Sequence, residues 1–198
     1  MSENKPKAVL LFGPPGAGKG TVGATLCAAG NHYHLSSGDI FRGLPPESPN
    51  GKVFFEYAKN GKLVPDEVTL EIWWRYTQGL IDTNQYDPAK QLLVLDGLPR
   101  TAAQAKLIEK YVDVVHIINL EIKDEEVLFD RIGGRAKTSG RADDGDRAII
   151  ANRLQEYHDK TSAVLGCYSE DIISSVNAEK TQVEVLRDVL IGSADILK

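Results

Sequence analysis

The stretch LLFGPPGAGKGTVGATL, residues 10–26, constrains this chain more than any other. It carries GxxxxGK, in which glycines let backbone amides turn inward around an anion and the lysine reaches a phosphate. The usual rule places Ser or Thr directly after the lysine. Here Gly20 stands in that place, and the hydroxyl comes one residue later, at Thr21. The surroundings support a phosphate loop. The apolar run AVLLFG, 8–13, reads as a buried parallel strand, and KGTVGATLCAAG reads as the helix that the loop opens. The positive end of that helix adds to the anion site.

The same rhythm continues along the chain. Strand-like runs stand at 33–37, 91–97, 112–122 and 171–177, with helical stretches such as EVTLEIWWRYTQGLI and IIANRLQEYHDKTSAVL between them. Alternation of this kind predicts an α/β architecture, a parallel sheet with helices on both faces. The second and third strands are too far apart for one crossover, so a small helical insert is expected between them. GGRAKTSGRADDG, 133–145, is rich in glycine and charge and lacks an apolar face, so it reads as a mobile loop. With 198 residues, the whole chain, 1–198, fits a single domain with insertions.

Charge narrows the partners. The chain has 23 basic and 28 acidic residues, a net of −5, which disfavours nucleic acid. Its N-terminus, MSENKPK, is polar, and the apolar run behind it is short and glycine-interrupted, which reads as neither a signal peptide nor a membrane span. Cys27 and Cys167 stand alone, which suits a reducing, cytoplasmic setting.

Three further features carry chemistry. LLVLDGLPR is an apolar strand ending in Asp96, and a carboxylate there can hold the water shell of Mg²⁺. Arg100 follows four residues on, where ligands bind in open α/β sheets. Arg131, Arg135 and Arg141 cluster in DRIGGRAKTSGRADD, with Arg153 downstream. Such a run is usually a solvated face paired with its own acids, here Asp143 and Asp144. Beside a phosphate loop it favours phosphate clamping, because phosphoryl transfer spreads charge over several oxygens. Trp73, Trp74, His116 and Cys27 read as packing residues.

Together these motifs resemble the adenylate kinases among the nucleoside monophosphate kinases. The resemblance is carried, in order, by GPPGAGKGT, LSSGDIFR, GKLVPDE, LDGLPRTAAQA, GGRAKTSGRADD and RLQEYHDKTSAVL. It implies a three-layer P-loop fold with a five-stranded parallel sheet, a helical monophosphate-binding insert at about 36–65 and a short lid at about 133–145, hinged on its glycines. It implies that Gly16, Ala17, Gly18, Lys19, Gly20 and Thr21 cradle the ATP phosphates, with Arg131, Arg135 and the backbone near Lys180 also on ATP. AMP would be held by Ser37, Arg42, the backbone of Lys62, Leu63 and Val64, the segment Gly97, Leu98, Pro99 and Arg100, and Gln104 on the base. Arg141 and Arg153 would bridge the two nucleotides. The catalytic set would be Lys19, Arg100, Arg135, Arg141 and Arg153, with Asp96 ordering the waters of Mg²⁺. The resemblance also implies a monomer acting on ATP, AMP and ADP, and a lid too short and cysteine-free for zinc.

Several residues depart from the family pattern. Ser37 stands for a usual Thr and Leu98 for a usual Phe, the usual Pro after YHDKT is absent, replaced near Ala163, and Arg153 follows Asp144 one residue later than usual. Pyrimidine monophosphate kinases of the same family are the nearest alternative. Gln104, a donor and acceptor for a purine edge, favours adenine. A GTPase-like switch would require NKxD for guanine, which the chain lacks. A non-catalytic nucleotide-binding module would not need all of these arginines.

Overall fold

The sheet is assembled around its first strand. β1 (Lys7–Phe12) is followed by the glycine loop and α1 (Lys19–Gly30), and the chain then crosses to β2 (Tyr33–Ser36) at one edge. α2 (Ser37–Arg42), α3 (Pro49–Ala58) and α4 (Asp66–Asp82) precede β3 (Leu93–Asp96), which fills the gap between β2 and β1. After α5 (Ala102–Ile108), β4 (Asp113–Glu121) adds on the other side of β1. α6 (Glu125–Ser139) and α7 (Arg147–Glu156) lead to β5 (Ile173–Asn177) at the far edge, and α8 (Gln182–Ser193) closes the fold. The order is β2-β3-β1-β4-β5, and every pairing is parallel. The structure is a computed structural model that describes residues 5–139 and 144–197.

β1 is buried on both faces, and this accounts for its unbroken apolar run. Ala8, Leu10 and Phe12 pack into one core layer with Trp73, Ile108 and Val164. Val9 and Leu11 pack into the opposite layer with Val22 and Leu26 of α1 and Val185 and Val189 of α8. Side chains of successive strand residues point to opposite faces, so one run serves both layers. All five residues are 3% exposed or less. Burying a large aliphatic side chain stabilises by about 1.5–3 kcal/mol. A third, smaller core joins α6 to α7 through Leu128, Ile132, Ile150 and Leu154.

The five-stranded parallel sheet and the insert helices match the sequence reading, but two local expectations change. Residues 133–139 are not loop: they continue α6 to Ser139. Gly133 and Gly134 are tolerated there because the segment is anchored upstream by the buried Leu128 and Ile132. Beyond α7, the expected single helix changes character. It widens to a π turn over Tyr157–Thr161 and then tightens to 3₁₀ over Ser162–Cys167. Trp73 is fully buried, and His116 is buried against Ser193 of α8 at 3.3 Å. Among the described residues, no helix is long and apolar enough to cross a membrane.

Candidate active site

Parallel pairing places every strand's C-terminal end on one side of the sheet. β1 lies between β3 and β4, so the strand order reverses there, and ligands bind at such a point in open α/β sheets. A cleft of about 1040 Å³ opens along that side, with Lys19, Asp96, Arg100, Gln104, Arg135 and Arg153 in its walls.

The loop between β1 and α1 turns at Gly13, Gly16 and Gly18, with φ of 137°, 88° and 96°. Side-chain-bearing residues rarely adopt such angles. A Cβ on Gly13 would also lie 2.5 Å from the Leu120 carbonyl oxygen of β4. Lys19 bends back across the loop and donates to the carbonyls of Gly13 (2.7 Å) and Pro14 (3.0 Å). Burial pushes its ammonium down to about 8. Asp96 opposes that fall, and the Arg100, Arg153 and Arg135 guanidiniums add to it. Burial together with neighbouring guanidiniums makes this a pocket that favours an anion.

Strand register sets the next group. Ser36, Asp96 and Leu11 lie in one row across β2, β3 and β1, at the lip of the cleft. A Cβ on Gly20 would come 3.8 Å from Asp96 Oδ2, so the bare glycine leaves space beside that carboxylate. Gly97 turns with φ 81°, and its carbonyl accepts from both Ser37 Oγ (2.9 Å) and Arg100 Nε (2.7 Å). The π turn ends at Thr161, whose hydroxyl donates to the Arg100 carbonyl at 2.9 Å.

The arginines are organised by one acid. Asp144 has a fully buried side chain, paired with Arg135 (2.7 Å) and Arg153 (2.6 Å). Burial alone would raise its carboxyl, but hydrogen bonds and charge from the two guanidiniums outweigh that and hold it below the usual carboxylate range. The paired acid fixes two cations, one from α6 and one from α7, at the cleft. Arg131 of α6 donates to the Ala178 carbonyl at 2.8 Å and so ties α6 to the loop after β5.

On the opposite side, Arg42 pairs with Asp39 at 2.6 Å. The cleft wall there is Leu63 and Val64 with Lys62, in the segment joining α3 to α4. Gln104 is 1% exposed. Its oxygen accepts from the Arg100 amide (2.7 Å), and its nitrogen donates to Asp66 (2.8 Å). The insert rests on α7: a Cβ on Gly61 would lie 2.9 Å from the Ile149 carbonyl and 3.2 Å from Arg153 Cγ.

Comparison with known proteins decides the family. The adenylate kinase family model matches residues 11–173. The adenylate kinase of Flavobacterium johnsoniae is 42% identical over 168 residues, covering 82% of this chain and 84% of that protein. That of Flavobacterium psychrophilum is 40% identical over 169 residues, covering 82% and 85%. The chain belongs to the adenylate kinase family. It is a phosphotransferase enzyme. A UMP-CMP kinase of Rattus norvegicus is also similar, 32% identical over 193 residues, covering 94% of this chain and 96% of that protein.

Most residues that the resemblance to adenylate kinases pointed to line this one cleft: Gly16 to Thr21, Ser37, Arg42, Lys62 to Val64, Asp96 to Arg100, Gln104, Arg131, Arg135, Arg153 and Lys180. Arg141 lies outside the described residues. The Lys180 ammonium pairs with Asp188 at 2.7 Å. Three contributors to the site's architecture escaped sequence reasoning. Asp144 read as a solvated partner, Thr161 as one residue of a helical stretch, and Asp66 only as part of GKLVPDE, with no role of its own. Each acts on residues that the chain itself does not place nearby, except that the two acids of GRADD gave a weak signal for Asp144.

Proposed function

We propose that the chain transfers the terminal phosphoryl group of ATP to AMP, reversibly, giving two ADP. The observation that carries this reading is the convergence on Lys19. A phosphate loop needs one lysine; here Arg100, Arg135 and Arg153, from three different parts of the chain, line the same cleft as Lys19. A single triphosphate does not call for so many cations. Two phosphate chains meeting end to end do.

The chemistry needs no general base from the protein. A phosphate monoester has its second pKa at about 6, so the AMP phosphate is an oxyanion near neutral pH. One of its oxygens bonds to the γ-phosphorus as the bond from that phosphorus to the β–γ bridging oxygen breaks. The electron pair leaves with the β-phosphate, and both products are ADP. Positioning and charge compensation supply the catalysis. The loop amides and Lys19 hold the donor, Arg100 and Arg42 the acceptor phosphate, and Arg135 and Arg153, fixed on Asp144, the group in transit.

Asp96 fits the magnesium ion that the family's substrate carries. Among the described residues, no group of three or more His, Cys, Asp or Glu could hold a metal. One cleft carboxylate beside bare Gly20 suits an ion held chiefly by phosphates and waters. Such an ion would neutralise charge on the donor's β- and γ-oxygens. The insert at about 36–65 would close on the acceptor and the lid at about 133–145 on the donor, excluding water as a competing acceptor. The resemblance extends the reading to a monomer.

The test offers ATP with magnesium together with AMP, CMP, UMP or GMP separately and measures diphosphate formed. AMP is expected to turn over fastest. An inert AMP sinks the proposal, and a preference for CMP or UMP moves the chain towards the similarity it shares with the rat UMP-CMP kinase.

A further inference from the structure

We propose that Asp66 is a positioning residue that sets the acceptor-base preference, by locking the Gln104 carboxamide so that the site favours a 6-amino purine over a 6-keto purine. This rests on the reading that Gln104 faces the acceptor base.

A carboxamide has two ends, an oxygen that accepts and an NH₂ that donates, and turning it over exchanges them. In this site both ends are committed. The Arg100 backbone N–H can only donate, and it reaches Gln104 Oε1 at 2.7 Å. The ionised Asp66 carboxylate can only accept, and Gln104 Nε2 donates to its Oδ1 at 2.8 Å. Thr101 Oγ1 donates to Asp66 Oδ2 at 3.0 Å, which fixes the carboxylate in turn. A turned amide would set oxygen against carboxylate and NH₂ against N–H. At 1% exposure no bulk water relieves either clash.

After these bonds Gln104 keeps one lone pair on oxygen and one N–H, in a fixed order along its edge. Adenine offers N6–H beside N1, a donor followed by an acceptor. Hypoxanthine offers O6 beside N1–H, the reverse. A locked amide therefore pairs with the first and repels the second, while an amide free to turn pairs with either. Asp66 itself does not line the cleft, so its influence on the base passes through Gln104.

Asp66 sits in the first turn of α4, where any acid also favours the helix end. Glu67 shares that turn without a hydrogen bond to Gln104, so Glu67→Gln is the control for the helix term. The experiment measures kcat and KM for AMP and for inosine 5′-monophosphate in the wild type, Asp66→Asn and Glu67→Gln. Replacing a charged hydrogen bond by a neutral one in Asp66→Asn is expected to lower the ratio of kcat/KM for AMP over inosine monophosphate about tenfold. The change should appear in the KM values, with the KM for ATP held, and Glu67→Gln should keep the wild-type ratio.

An unchanged ratio in Asp66→Asn overturns the proposal, as does an equal fall in Glu67→Gln. If Asp66→Asn fails to fold, wild-type NMR decides. Slow exchange of the Gln104 side-chain NH₂ with water supports the lock, and exchange at the rate of a surface glutamine overturns it. Failure of the underlying function shows separately, as a wild-type protein that does not phosphorylate AMP.

Discussion

On one wall of the cleft, the polar groups belong to the backbone of a loop turned by glycines at φ 137°, 88° and 96° and joined to residues 8–12 of β1, all buried. On another wall they are guanidiniums, carried on α6 and α7 and held by the buried carboxylate of Asp144. The first wall is part of the main core. The second has its own small core of Leu128, Ile132, Ile150 and Leu154. A backbone nest keeps its geometry without a partner ion, because its conformation is covalently local. A set of arginines repels itself, so it needs an internal acid to stay assembled before substrate arrives. The difference is between a loop whose shape is set by its own backbone and a pair of arginines whose order depends on one side chain.

Removing a side chain from each wall sharpens that contrast. Lys19→Met is expected to cut phosphoryl transfer by about 100- to 1,000-fold, as for loss of one key transition-state donor. The melting temperature should stay close to wild type, because among the described residues Lys19 donates only to carbonyls of its own loop. Unchanged turnover in a coupled ADP assay would remove the loop from the mechanism.

Asp144→Asn should do the opposite: lose stability along with activity. Breaking a buried ion pair costs about 3–5 kcal/mol, and the partial exposure of Arg135 and Arg153, 32% and 20%, places the expected loss at the lower end. Denaturant titration measures it. The sign with pH follows from the depressed carboxyl: the contribution is present above the unfolded-state value and is lost as pH falls through the lower folded value. Wild type should therefore keep this term further into acid than an ordinary carboxylate pair, and the variant should lack that step. A variant as stable as wild type would show that the arginines need no anchor.

The two walls also meet electrostatically at Lys19. Lys19 must be protonated to hold phosphate, and burial lowers it to about 8. The kcat/KM for ATP reports the free enzyme, so it should fall above pH 8, approaching tenfold per unit. Bound phosphates favour the charged form, so kcat should hold to higher pH. A kcat/KM flat to pH 10 would show that neither burial nor the neighbouring guanidiniums lower Lys19.

The smallest expected effect is at Gly20→Ser, which restores the hydroxyl that most phosphate loops carry. The new Cβ would stand 3.8 Å from Asp96 Oδ2, an ordinary contact. Activity should stay within about threefold, and replacing a helix glycine should raise stability by about 0.5 kcal/mol. A large loss would mean that the space beside Asp96 is itself required.

Much of this molecule was legible because its key features are local. The continuous apolar run of β1 and the glycine spacing that follows specify a strand, a turn and a helix within residues 7–30. Asp96 is the last residue of its strand, and that position alone puts it at the cleft. The segment from residue 133 read less well. Glycine and charge suggested loop from residue 133, but buried Leu128 and Ile132 carry α6 through Gly133 and Gly134 to Ser139. Packing outweighed propensity there.

By itself, the sequence determined the β–α order, the phosphate loop with its late hydroxyl and the identity of the cations, since each depends on residues a few positions apart. Only the tertiary structure decided which acid holds which arginine, which way Gln104 faces and that Gly61 rests on α7. Asp66 and Gln104 lie 38 positions apart, and Thr161 and Arg100 lie 61 apart. The physical reason is burial. The chain specifies hydrogen-bonding groups, but their pairing is chosen where packing removes water and each buried donor must take the acceptor that the fold brings within reach.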